Sequence, residues 1–390
     1  MKDYTLLQKK YLLNTYTNRG LTLVEGEGVY LKDAAGARYL DLMTNYGVNI
    51  FGHGHPVVVE RLTNQLRRLT TLHGSFANDA RAEAAQRLVG RCGGGLTQAY
   101  FSNSGAEANE AALKFATLAT GKKRFISCRN GYHGKTLGAL SATDGPKFRA
   151  AFEPLLWEFE RIDYGDPRSL EGVLNERTAA FIVEPVQGES GVIVPAEDYL
   201  RRAAELCRSR GALLILDEVQ TGTGRTGSFL ASQAAGISYD IVSLGKGLGA
   251  GIPIGATLVS EEVASSIPRS SHTSTFGGNP LAAAGVLAAL DILDESLQTH
   301  VDSAGAYFRE RLGAVKSELV VAVRGKGLMI GVEVTDRRDD ILKGLQRERV
   351  LAIPAGENVV RFLPPYIIET RHVDSAVEVF ARVLTSLAGN

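Results

Sequence analysis

Three short stretches place reactive side chains among small residues that let a ligand come close. In Ser102-Asn103-Ser104-Gly105-Ala106-Glu107-Ala108, small residues precede a predicted helix over 107–119. A helix start exposes unpaired backbone N–H groups and carries the positive end of the dipole, which suits an anion, most simply a phosphate. An ordinary serine cap with tight packing gives the same pattern. The run 213–217 is apolar and ends in Asp217-Glu218, a fixed negative charge that suits a cationic ligand group or a structural ion pair. In Ser243-Leu244-Gly245-Lys246-Gly247-Leu248-Gly249, one lysine stands between glycines. The glycines let the backbone run close to a ligand, and an amine kept neutral by its surroundings is a Schiff-base nucleophile. A solvated loop lysine is the plain alternative.

Other patterns resemble motifs and fail on context. Gly222 to Gly227 reads G-x-G-x-x-G, but a dinucleotide site needs these glycines to bend straight from strand to helix. Here Asp217-Glu218-Val219-Gln220 intervenes, so a nicotinamide-dependent oxidoreductase is only a distant alternative. Gly134-Lys135-Thr136 lacks the first glycine of a P-loop, because position 129 is Arg129. The histidines at 53, 55, 73, 133, 272, 300 and 372 form no H-E-x-x-H, so structural roles and no metal are expected.

These stretches need elements to position them. Short apolar runs over 99–101, 124–127, 180–184, 213–217, 241–243 and 256–259 read as strands. Helix-period segments alternate with them: 198–209, with Gly211 placed to end it, and 281–293, opened by Asn279-Pro280 as cap and first residue. Such alternation predicts an α/β domain with a mostly parallel sheet, whose ligands sit at the carboxyl ends of the strands. After about residue 295 the pattern turns mixed, which predicts a smaller α+β domain. The expected division is an N-terminal segment over 1–45 packing with the small domain, a large domain over 46–294, and a C-terminal small domain over 295–390.

The chain has 390 residues, 44% hydrophobic and 22% charged, enough for a sizeable core and about two domains. Its 43 basic and 43 acidic residues balance, so there is no sign of the basic excess that nucleic-acid binding by phosphate neutralisation needs. Cys92, Cys128 and Cys207 are odd in number and unpaired in spacing, against a disulfide framework. The opening MKDYTLLQKKYLL is too polar for a signal core, and no run reaches the ~18 apolar residues of a membrane span. A soluble, cytoplasmic protein is expected.

A phosphate site, an imine-forming lysine and an aspartate for a pyridinium nitrogen, each at a separate strand end, are together the needs of pyridoxal 5'-phosphate. Over essentially its full length the chain resembles the class III (subgroup II) aminotransferases, which are fold type I pyridoxal-phosphate enzymes. The resemblance rests on SNSGAEANEAALK (102–114), GYHGKT (131–136), VEPVQGESG (183–191), LDEVQTGTGRTG (216–227), LGKGLGAGIPIGA (244–256) and TFGGNP (275–280). It implies that Lys246 forms the Schiff base and shuttles the proton, while Asp217 keeps the pyridine nitrogen protonated. It further implies Gln220 at the cofactor's phenolic oxygen, and Ser104, Gly105 and Ala106 at the phosphate. Thr275 would join them there from the partner subunit of a homodimer. Tyr132 and Val219 would cover the ring faces, and Glu184 would support the site from behind.

Within the class, the chain is most similar to the acetylornithine/ornithine aminotransferase branch, through EGEGVYLKDAAGARYLDL (25–42) and AGENVVRFLPPYII (355–368). The resemblance implies that Arg361 grips a substrate carboxylate, that Glu189 neutralises Arg361 or is displaced from it, and that Tyr16 and Tyr46 line the substrate pocket. The implied reaction moves the terminal amine of an N-acyl-ornithine-type donor to 2-oxoglutarate. One departure stands out: the branch usually has arginine where this chain has Lys135, a point charge without the planar fork. A lysine there is similar to the putrescine (diamine) branch, so a diamine or 4-aminobutyrate-type ω-transaminase is the main alternative.

Overall fold

A computed structural model describes residues 3–388. Its centre is a seven-stranded sheet of β1 (Leu96–Ser102), β2 (Arg124–Cys128), β3 (Glu158–Ile162), β4 (Thr178–Val183), β5 (Leu213–Asp217), β6 (Ile241–Leu244) and β7 (Gly255–Ser260). The spatial order is β1-β7-β6-β5-β4-β2-β3, and only β7 runs against the rest. β2, β4 and β6 are buried at every residue, as strands covered on both faces must be. β3 is the strand that sequence reading missed. It lies at the sheet edge with Glu158 and Glu160 turned outward, and its charges mask the apolar signature.

Helix α1 (Gly105–Thr120) follows β1, capped by Ser104 at its start and by Gly121 in the left-handed region at its end (φ 70°). Helix α2 (Tyr199–Ser209) buries Leu200, Ala203, Ala204 and Cys207 against the sheet, and Gly211 (φ 61°) lies just past its end. Helix α3 (Pro280–Ile292) starts at the expected asparagine cap and proline. It is buried almost all round, and a Cβ on its Gly285 would stand 2.4 Å from Gly249 O. The helix therefore backs directly onto the turn that carries Lys246.

Residues after 295 build a four-stranded antiparallel sheet from Val320–Lys326, Met329–Val334, Val359–Phe362 and Ile353–Ala355. The N-terminal strands Leu23–Glu27, Tyr30–Asp33 and Arg38–Asp41 form a meander, and Val350–Leu351 pairs in parallel with its last strand. No helix among the described residues is long and apolar enough to cross a membrane.

Candidate active site

The carboxyl ends of β4, β5 and β6, the start of α1 and the 131–135 loop surround a cavity of about 270 Å³. Lys246 follows β6 in a left-handed conformation (φ 47°) that opens a short 3-10 turn. Backbone strain of this kind collects at functional sites. Gly245 before it has no room for a side chain: a Cβ would lie 2.9 Å from Gly105 Cα and 3.3 Å from Val219 Cγ1. The flanking glycine thus lets the lysine turn pack against the helix start. Burial pulls the Lys246 ammonium below its ordinary pKa; Glu189 opposes this and Arg361 adds to it.

Asp217, at the end of β5, is 4% exposed. Its Oδ2 accepts from Asn109 Nδ2 (2.7 Å) and is paired with His133 Nδ1 (2.7 Å), while Oδ1 accepts from Val219 N (3.0 Å). Burial alone would lower the His133 pKa, but the bond to Asp217 and the charges of Asp217 and Glu184 outweigh it and leave it raised. Glu184, beyond β4, accepts from the amides of Tyr132 (3.0 Å) and Gly188 (3.3 Å). Burial pushes its pKa up to about 7, with His133 opposing and Asp217 assisting. Asn109 and His133 were not recognised as site residues from sequence. Asn109 stands one helical turn from Gly105 on α1 and His133 adjoins Tyr132, and these positions were the available signals.

At the other end of the cavity, Glu107 N donates to Ser104 Oγ (3.2 Å) and Ala108 N to Ser104 O (3.0 Å). The amides of Gly105 and Ala106 precede these bonds and are left for an external acceptor. Arg361, on Val359–Phe362, is completely buried. Its Nη2 donates to Glu189 Oε1 (2.8 Å), its Nη1 to Gln220 Oε1 (3.1 Å), and its guanidinium lies 5.7 Å from the Tyr46 ring centre. Burial would raise the Glu189 pKa, but Arg361 and Lys246 outweigh it and hold the carboxyl below its ordinary value.

The cavity wall includes Gly105, Ala106, Tyr132, Lys135, Glu184, Glu189, Asp217, Val219, Gln220 and Lys246. Lys135 is exposed, its Nζ 5.5 Å from the Phe148 ring centre. Ser104 contributes its cap rather than a wall, and Arg361 and Tyr46 stand behind Glu189 and Gln220. Thr275 is exposed on the loop before α3 and does not line its own chain's cavity. Tyr16 is 82% exposed in the N-terminal segment and does not line the cavity, yet its phenol is near enough to Tyr132 on the cavity wall to help raise that group's pKa. A larger hollow of about 440 Å³ lies between helices Pro56–Arg68, Asp79–Cys92 and α3. Its Arg61 and Arg68 are already paired with Asp291 and Asp79, so it offers no comparable chemistry.

The donor set fits pyridoxal phosphate on these observations. Two unbonded helix-start amides suit a phosphate, a carboxylate held by three donors suits a cation, and a desolvated amine lies in the same cavity. Fold and site together define a pyridoxal-phosphate-dependent transaminase of fold type I. The chain belongs to the class III aminotransferases: residues 12–384 match the family described as aminotransferase class-III. It is 44% identical over 385 residues to an acetylornithine aminotransferase of Methanopyrus kandleri, covering 98% of this chain and 99% of that one. It is 40% identical to a [LysW]-aminoadipate semialdehyde transaminase of Deinococcus radiodurans (97% and 90% covered). A solved ornithine aminotransferase of Toxoplasma gondii, described with partial occupancy of PLP at its active site, superposes with a TM-score of 0.94 at 35% identity (99% and 95% covered).

Proposed function

We propose that this enzyme moves the terminal amine of an N-acyl-ornithine-type donor, N2-acetyl-L-ornithine or a related ornithine or lysine derivative, to 2-oxoglutarate. The products are a semialdehyde and L-glutamate. The observation that carries the reading is Arg361: a wholly buried guanidinium beside the Lys246 cavity, masked by a carboxylate it can release. A planar fork held this way matches a substrate carboxylate by paired hydrogen bonds. The names of the relatives support the same donor class.

Bound here, pyridoxal phosphate would supply an electron sink for the carbon that bears the reacting amine. The chain's own groups divide the remaining work. Lys246 Nζ holds and moves the proton, and its lowered pKa leaves more of it unprotonated at neutral pH than a solvated lysine. Asp217, oriented by Asn109 and His133, presents negative charge to a ring nitrogen and favours its protonated form. Gly105 and Ala106 would hold the phosphate, with Ser104 alongside. Tyr132 and Val219, on the cavity wall, would cover the cofactor's ring, and Gln220, which lines the cavity and accepts from Arg361, would link the cofactor's site to that arginine. Glu189 yields Arg361 when the acceptor's carboxylate enters. The reading includes a cytoplasmic homodimer in which Thr275, exposed in one chain, completes the phosphate site of the other, while Tyr16 reaches a substrate pocket.

Lys135 favours a second reading, a diamine or 4-aminobutyrate-type donor, because its lone ammonium on the cavity wall orients a carboxylate less well than an arginine. The near-visible absorbance of the cofactor-loaded protein separates the two. A band that bleaches with N2-acetyl-L-ornithine and returns with 2-oxoglutarate supports the first reading. Bleaching with putrescine alone moves the donor to the second.

A further inference from the structure

The motif Gly222 to Gly227 does not line the cavity, yet it holds an arginine buried almost as completely as Arg361. Arg225 is 1% exposed, and no carboxylate pairs with it among the described residues. Its Nη1 donates to Leu328 O (3.0 Å) and to Pro364 O (2.6 Å), while its Nε and Nη2 find no acceptor. Burial lowers its pKa, with Tyr366 opposing. Tyr366 lies under the guanidinium, 4.8 Å from its ring centre, and donates to Thr223 O (2.8 Å). A charge so desolvated and so partly satisfied is a poor source of stability. What it contributes is geometry.

Leu328 leads directly into Met329–Val334, and Pro364 lies two residues past Val359–Phe362. The second of these strands carries Arg361 and the first pairs with it, with Gly331 opposite Arg361 and Ile330 opposite Phe362. Leu328 N also donates to Arg225 O (3.1 Å), so the loop and the small sheet are bonded in both directions. Five residues earlier on the same loop, Gln220 accepts from Arg361 itself. The loop is wedged in place: a Cβ on Gly224 (φ 86°) would stand 2.7 Å from Leu293 Cδ1, and one on Gly227 (φ 90°) 3.0 Å from Asp302 Cβ.

We propose that Arg225 is a positioning residue for substrate specificity. It clamps the strand of Arg361 and the strand paired with it onto the loop following Asp217, and so sets where Arg361 stands relative to Lys246. The inference rests on the reading of Arg361 as the carboxylate-binding group, and the test separates the two. In the cofactor-loaded enzyme, Arg225→Lys keeps charge and bulk but reaches one carbonyl with a point charge. It raises KM for 2-oxoglutarate about tenfold while kcat stays within about twofold, the pattern of lost uniform binding. Tyr366→Phe, which removes only the hydroxyl tether to the loop, shifts the same KM upward by about threefold and serves if Arg225→Lys fails to fold. In an Arg361→Ala background, adding either change raises KM no further, because the clamp acts through the missing arginine. Melting temperature and the cofactor band confirm folding. Unchanged KM in a folded variant, or effects that add to those of Arg361→Ala, overturn the proposal. If Arg361→Ala itself leaves KM unchanged, the reading of Arg361 has failed and the clamp on it falls too.

Discussion

Glu189→Gln tests the masking of Arg361 most directly, because it keeps the shape and removes the charge. On the proposed reading, the acceptor's carboxylate replaces a charge-assisted bond of 2.8 Å between Glu189 and a fully buried guanidinium. Such bonds contribute about 1.5–3 kcal/mol net, against about 0.5–1.5 kcal/mol for a neutral amide oxygen. Glu189 keeps 28% of its side chain exposed, so solvent screening sets the difference near the lower end, about 1 kcal/mol. Entry of the acceptor is then easier by that amount, and KM for 2-oxoglutarate falls about fivefold. The same change leaves Arg361 with only amide acceptors, which costs folding stability by about the same 1 kcal/mol. The sign with pH follows from the lowered Glu189 pKa. The wild type's stability advantage is present above the ordinary glutamate value of 4.5 and fades as pH falls through the lower folded value. The assay is steady-state kinetics with varied 2-oxoglutarate at saturating donor, alongside melting curves across acid pH. An unchanged or higher KM, with a normal cofactor band, refutes the masking.

Two further outcomes follow from the buried carboxylates. Glu184, pushed up to about 7 from 4.5, favours its protonated form in the fold, so its contribution is full below 4.5 and lost as pH rises through 7. The melting temperature of cofactor-free wild type minus that of Glu184→Gln therefore declines over this window, and a flat difference contradicts the assignment. Asp217→Asn removes the charge that holds the His133 pKa up, leaving Glu184 to oppose burial, so the pKa falls relative to wild type. An NMR titration of His133 that shows no fall from wild type to variant would show that Asp217 is not the cause.

Much of the site was legible because its parts announce themselves locally. An apolar run ending in Asp217, a small-residue helix start at Ser104 to Ala106, and a lysine between glycines are each readable over a few residues. The strands around them were placed within a few residues, since buried parallel strands are continuous apolar runs. β3 escaped because an edge strand keeps charged residues on its open face. Asn109 and His133 escaped for another reason: they meet Asp217 across 108 and 84 residues of chain, and no local pattern records such a meeting.

The sequence by itself determined which residues could bind, protonate or pair, and the periodicities and caps that shape each strand and helix. Tertiary structure alone decided that β4, β5 and β6 end side by side, so that Glu184, Asp217 and Lys246 share one cavity. It also decided that Gly222 to Gly227, which as a string resembles a nucleotide loop, instead grips the strands of Arg361. The physical reason is range. Hydrogen bonds within an element and its hydrophobic period are set by neighbours a few residues apart. Sheet order, desolvation of a buried charge and the docking of the 222–227 loop on the strand of Arg361 depend on segments a hundred residues away.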